Sequence, residues 1–175
     1  MGQLIMRWKN DGTAAREIVL PDGVKLKNFT EIKDAKSAWL NIVSFMGQGE
    51  AKYDGELYEK VMISQPHYDE KLCFFLCVEE VPAATITVIC DREHKAGLIH
   101  MVSCDPNFRG RGLGSLLSLI AVEVLKKEGM ETARLTTDDW RIPAIKTYLR
   151  AGFTPDLEKE PDYKERWEKI YREIG

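Results

Sequence analysis

Val102-Ser103-Cys104-Asp105-Pro106-Asn107-Phe108-Arg109-Gly110-Arg111-Gly112-Leu113-Gly114-Ser115 joins a β-rich run to a helical one. Upstream, Gly97 to Cys104 reads as a strand. Downstream, Leu113, Leu116, Leu117, Ile120, Ala121, Val124 and Leu125 recur at steps of three and four, and Gly129 stops them. The stretch predicts strand, glycine-rich turn, helix. The first amides of a helix lack intrahelical partners and sit at the positive end of its dipole, so they favour an anion such as phosphate. Gly110, Gly112 and Gly114 let the backbone approach that anion closely, and Arg109 and Arg111 can add charge-assisted bonds.

Working outward, the β-rich runs Leu72 to Val78 and Ala83 to Cys90 flank Glu79-Glu80-Val81-Pro82 and read as a hairpin. A charged turn, Asp91 to Lys95, leads into the third run. The first 30 residues hold three extended segments, Leu4 to Trp8, Arg16 to Leu20 and Val24 to Phe29, separated by Asn10-Asp11-Gly12 and Pro21-Asp22-Gly23. They are predicted to pair antiparallel. Ala35, Ala38, Trp39, Ile42, Val43 and Met46 have helical spacing up to Gly47-Gln48-Gly49, and a second helix is predicted over Gly55 to Ser64. Beyond the long helix come a strand at Ala133 to Thr136, a helix over Ile142 to Arg150 ended by Gly152, and a turn at Thr154-Pro155. A charged amphipathic helix follows over Asp162 to Ile174. This order predicts an α/β fold with a mixed sheet carrying helices on its faces.

At 175 residues, the chain is expected to form one domain over 1–175. Hydrophobic residues at 44% can bury a core, and 25 Lys and Arg against 28 Asp and Glu give −3, so no bulk positive field draws nucleic acid. No apolar run approaches the roughly 20 residues of a membrane span, and the start lacks a signal-peptide core. A soluble, cytoplasmic protein without nucleic-acid or membrane partners is expected. Cys73, Cys77, Cys90 and Cys104 show no CxxC and no paired-His spacing, so buried reduced thiols and no metal are expected.

Three phosphate motifs can be set against the central stretch. A Walker loop requires GK[ST], and Gly114 is followed by Ser115-Leu116. A dinucleotide loop requires GxGxxG after the first strand of a βαβ unit, whereas these glycines read GxGxG after a meander. The pattern RxxGxG at Arg109, Gly112 and Gly114, after a V-x-C-D-P strand end, resembles the pyrophosphate-binding motif of the GNAT superfamily of N-acetyltransferases. A second block, Ala144-Ile145-Lys146-Thr147-Tyr148-Leu149-Arg150-Ala151-Gly152-Phe153, resembles the family's later A-I-x-x-Y-x-x-x-G-F motif.

The resemblance implies a mostly antiparallel, twisted GNAT sheet, with acetyl-CoA as co-substrate held by Val102, Ser103, Cys104, Arg109, Gly110, Arg111, Gly112, Leu113, Gly114 and Ser115. It implies that the strand from Ile99 to Cys104 splays from its neighbour and offers the amides of Val102 and Cys104 to the acetyl carbonyl. It also implies that Tyr148 protonates the leaving thiolate, although core packing with Ile145 and Leu149 accounts for the same residue. Where many members carry Asn, three residues before Ala144, this chain has Arg141, which is left outside the expected site.

A base must receive the amine's proton. His100 is the first choice, titrating near neutrality on the strand that lines the acetyl group; Glu79, Glu80 and Asp105 are the others. Asp138-Asp139 either attracts an ammonium group or caps the following helix. A ping-pong route through the Cys104 thiol is the minor alternative.

The block T-D-D-W-R-I-P-A-I-K-T-Y and the C-terminal R-W-E-K-I are more similar to the domain of mycothiol synthases and related members than to histone acetyltransferases. Mycothiol synthases join two such domains. The expected activity is acetyl transfer to a primary amine of a small molecule; a peptide acceptor and a non-catalytic acyl-CoA sensor are the rival readings. Trp167, Ile170 and Tyr171 either cover the sheet or serve a homodimer.

Overall fold

The computed structural model describes residues 2–175. Seven strands form one sheet in the order β2-β3-β4-β5-β6-β1-β7. They are β1 (Leu4–Lys9), β2 (Val24–Asn28), β3 (Cys73–Val78), β4 (Val81–Asp91), β5 (Ala96–Cys104), β6 (Thr132–Thr137) and β7 (Thr154–Pro155). Every pairing is antiparallel except β5 with β6. The helices are α1 (Ala35–Val43), α2 (Leu113–Lys127), α3 (Ile142–Arg150) and α4 (Tyr163–Ile174). The predicted helix at Gly55 to Ser64 narrows to a π-helical turn over Glu59–Ile63.

Two apolar layers sandwich the sheet. On one face, α2, α3 and α4 bury Leu113, Leu117, Ile145, Tyr148, Trp167 and Ile170 against Leu4, Met6, Val88 and Leu135. On the other, Trp39, Ile42 and Val43 of α1, with Met62, pack on Cys73, Phe75 and Cys77. Each large side chain so buried contributes about 1.5–3 kcal/mol. Trp167 and Ile170 are therefore core residues that cover the sheet, and only Tyr171 of that stripe is exposed.

The N-terminal expectation is corrected. Leu4–Lys9 and Val24–Asn28 are strands, but they never meet: β1 lies between β6 and β7, while β2 pairs β3 at the opposite edge. Leu4, Met6 and Trp8 are buried with an exposed or half-buried residue between each, a pattern that fits any slot with one buried face. Arg16 to Leu20 forms no strand. That segment runs by α2, where the Arg16 amide donates to the Glu123 carboxylate at 2.5 Å. The predicted turn at Thr154-Pro155 instead pairs with β1 as the two-residue β7.

Parallel pairing of β5 with β6 holds only over Ala96–Leu98 and Thr132–Arg134. Both strands then continue, to Cys104 and Thr137, without pairing to each other. At the joined end there is no room for a β-carbon at Gly97, where the Leu125 side chain and Ala133 crowd in, so α2 seats closely across β5 and β6. The parting strands make a fork that opens toward the start of α2.

Candidate active site

One arm of the fork is the end of β5, reshaped by a bulge. Thr87 opposes His100 and Thr85 opposes Ser103, so Met101 and Val102 together face Ile86. Met101 carries the bulge's left-handed backbone, φ +55°. The extra residue keeps His100 and Met101 on the α1 face, while Ile99, Val102 and Cys104 pack toward α2.

The Asp105 amide donates to Ala83 of β4 at 2.8 Å, so the Cys104 peptide, one residue earlier, turns away from β4 toward the fork. The Val102 carbonyl faces the same opening and accepts from Arg141 Nη2 at 3.1 Å. Ser103 points elsewhere: its hydroxyl donates to the Ile42 carbonyl at 2.7 Å and ties the end of α1 to the sheet.

At the head of the fork lies the glycine loop. Gly110 and Gly112 have φ of +78° and +76°, with open space where a β-carbon would stand, so glycine is required there by backbone angle and not by room. Leu113 is buried, leaving its amide as its contribution to the loop. Among the described residues, none of the amides from Gly110 to Ser115 donates to a backbone or side-chain acceptor. Arg109 donates to the Phe45 carbonyl at 3.3 Å, Arg111 lies 5.5 Å from the Phe108 ring, and neither pairs with a carboxylate among the described residues. Six free amides and two guanidinium groups at the start of a fifteen-residue helix suit an anion such as a pyrophosphate.

Tyr148 comes up on α3. Its ring is buried and meets Phe153 edge-on at 6.3 Å. Its hydroxyl makes no hydrogen bond among the described residues. Burial pushes the phenol upward and the Arg141 charge opposes the shift. The Tyr148 phenol is thus kept protonated at neutral pH.

The proposed bases separate. His100 Nε2 lies 2.8 Å from the Val61 carbonyl, to which it donates, leaving Nδ1 as the basic nitrogen; burial lowers its pKa against the effect of that bond. Glu80 is held by Lys25 and Lys27 at the exposed hairpin, its carboxyl lowered to about 2 by their hydrogen bonds, which makes it a poor proton acceptor. The turn is tighter than predicted, since Glu79 and Glu80 alone connect β3 to β4, both with positive φ. Asp105 caps the turn at Pro106–Phe108, accepting from the Asn107 amide at 2.9 Å.

The acidic pair does not cap α3. Asp139 binds Arg166 of α4 at 2.5 Å, Asp138 accepts from Gln3 at 3.3 Å, and α3 starts without a side-chain cap. The pair fastens the C-terminal helix and the N-terminal strand to the end of β6. The Cys104 thiol is raised by burial, with Arg109 opposing, and donates to the Asp105 carbonyl at 3.5 Å, which suits a packed thiol.

Arg141, outside the site expected from the sequence, is brought by the structure to the Val102 carbonyl at the end of β5. Its departure from the family's Asn was the only available signal, and spacing alone could not say that the side chain turns back across the fork. Among the described residues no group of three or more His, Cys, Asp or Glu is placed to hold a metal ion, and no helix is long and apolar enough to cross a membrane.

Comparison with known proteins agrees with this architecture. The mycothiol acetyltransferase of Nocardia farcinica is 27% identical over 145 residues, covering 79% of this chain and 48% of that protein. The mycothiol acetyltransferase of Streptomyces bingchenggensis is 32% identical over 145 residues, covering 79% and 45%. The chain therefore spans about half the length of the curated relatives it matches. The crystal structure of a GCN5-related N-acetyltransferase from Sphaerobacter thermophilus has the same fold, with a TM-score of 0.69 at 19% identity over 88% of this chain and 48% of that one. The sequence profile of the acetyltransferase (GNAT) family matches residues 38–153, from within α1 through the fork, the glycine loop and α3 to Phe153, and the chain belongs to that family.

Proposed function

We propose that this chain is a single acetyltransferase domain that binds acetyl-CoA and passes the acetyl group to the primary amine of a small molecule by direct attack. The observation that carries the reading is the run of unbonded amides from Gly110 to Ser115, flanked by Arg109 and Arg111, where β5 and β6 part. The loop takes the pyrophosphate. The Cys104 and Val102 peptides line the fork where a thioester would lie, and an amide donor there stabilises negative charge on the acetyl oxygen. Tyr148 gives its proton to the departing sulfur, and His100, neutral through Nδ1, receives the amine's proton directly or through water. The name of the mycothiol acetyltransferase relatives favours a small amine over a peptide acceptor.

Titration calorimetry of the purified protein with acetyl-CoA, with NADH as control, tests the first step. Saturable binding of acetyl-CoA alone is expected, followed by acetylation within a panel of small amines and not of peptides with free N-termini. Absence of acetyl-CoA binding overturns the reading of the loop; turnover confined to peptides overturns the acceptor class.

A further inference from the structure

Arg141 sits at the N-cap of α3 and sends its side chain across the fork to the Val102 carbonyl, 3.1 Å away. The residue is half-buried, and among the described residues no carboxylate pairs with it; its other neighbour is the Trp140 ring, 5.9 Å from the guanidinium carbon. A guanidinium is always charged and carries five N–H donors in a fixed fork, of which the Val102 bond uses one. A partly desolvated cation without a counter-ion is costly unless an anion arrives. The Val102 bond places the guanidinium between the end of β5 and the start of α3, and its field reaches Tyr148 on the same helix.

We propose that Arg141 is a further catalytic residue, supplying the positive charge that meets the thiolate leaving from coenzyme A. This rests on the acetyl-CoA reading above. In the step, the amine lone pair forms the C–N bond and the amine's surplus proton passes to His100, the C–S bond breaks with its electron pair going to sulfur, and the sulfur then takes the Tyr148 proton. A fixed cation beside the sulfur favours the broken-bond side of that step, because its attraction is stronger for the thiolate than for the neutral thioester.

The test needs no acceptor. Free coenzyme A carries an ionisable thiol and acetyl-CoA does not, so the ratio of their affinities across pH isolates the thiol. Tyr148 on α3, Cys104 and Asp105 at the end of β5, Asp138 and Arg109 nearby and His100 on the far side of β5 are the titratable and charged groups of this region; ionisations that act equally on both ligands cancel in the ratio, and Tyr148→Phe measured in parallel removes the one that meets the thiol. With a thiol reference pKa of about 8.5, the wild type is expected to gain about tenfold in affinity for coenzyme A relative to acetyl-CoA between about pH 7 and 9.5, one unit of thiol shift corresponding to tenfold. Arg141→Gln is expected to abolish the gain with acetyl-CoA affinity within about threefold of wild type, and Arg141→Lys to retain part of it. A flat ratio in the wild type, or the same gain in Arg141→Gln, overturns the inference. Failure of the wild type to bind acetyl-CoA at all overturns the proposed function and this inference together, so the two failures are told apart.

Discussion

His100 donates from Nε2 to the carbonyl of Val61, 2.8 Å away, so one ring nitrogen is fixed by the π-helical turn and the other is left to accept a proton. Burial lowers the imidazole's pKa, so the ring is neutral at pH 7 and the acid limb of the rate profile is expected below the ordinary imidazole value of about 6.5. The same shift has a stability consequence. A histidine whose pKa is lower in the folded state binds fewer protons there than when unfolded, so its stabilising contribution is present above about pH 6.5 and is lost as pH falls through the folded pKa. His100→Gln is expected to reduce kcat about 10²-fold. An unchanged acid limb in that variant removes His100 from the base role.

Tyr148→Phe keeps the ring in its packed place against Phe153 and removes only the hydroxyl. Affinity for acetyl-CoA is expected to stay within about twofold while kcat falls about 10²-fold, the usual worth of a positioned acid. Steady-state kinetics and calorimetry separate the two effects. Undiminished kcat would return Tyr148 to a packing residue.

Gly112→Asp adds a carboxylate beside six unbonded amides and places a side chain at φ +76°. The left-handed backbone costs about 1–2 kcal/mol of stability. The larger effect is expected on acetyl-CoA affinity, a loss of at least about tenfold, since the new charge takes the place meant for phosphate. A folded variant that binds acetyl-CoA as tightly as wild type refutes the loop assignment.

The raised pKa of Cys104 keeps its sulfur protonated at neutral pH, and a thiol is a far weaker nucleophile than a thiolate. Incubation with acetyl-CoA in the absence of any amine is expected to leave the protein's intact mass unchanged. An acetyl adduct at Cys104 would establish the ping-pong route instead.

Arg166 is buried and donates to both oxygens of Asp139 and to the Gly2 carbonyl. Asp139→Ala leaves the guanidinium only its longer, 3.5 Å contact with Asp162, and a loss of about 2 kcal/mol is expected, discounted from the cost of a fully buried pair because Asp139 is partly exposed. At this chain length the fall in Tm is about 4–8 °C by differential scanning calorimetry. Asp139's pKa is lowered, chiefly by the Arg166 hydrogen bond. Its contribution is therefore present above the ordinary Asp value of about 3.9 and lost as pH falls through the folded value.

Local patterns carried far in this chain. The steps of three and four from Leu113 to Leu125 marked α2 because one helical face is buried, and the hairpin and meander followed from alternating runs between turn residues. The glycine loop was legible because only glycine takes φ near +77° at low cost on both sides of Arg111. Where the first strand would go was not legible: Leu4, Met6 and Trp8 specify a buried face and no particular neighbour, and β1 found its partners 120 and more residues away. The bulge at Met101 was also hidden, since nothing in Ile99 to Cys104 breaks the strand pattern.

The sequence by itself determined most of the element order, the glycine loop that opens α2 and the placing of Tyr148 on α3, because these depend on neighbours within a few turns of chain. Only the tertiary structure decided that β5 and β6 part after Leu98 and Arg134, that His100 leans on Val61, that Asp139 serves Arg166, and that Arg141 crosses to Val102. Each joins segments brought together by burying two apolar layers against one sheet, and a side chain's partner there is set by what the packing leaves within reach.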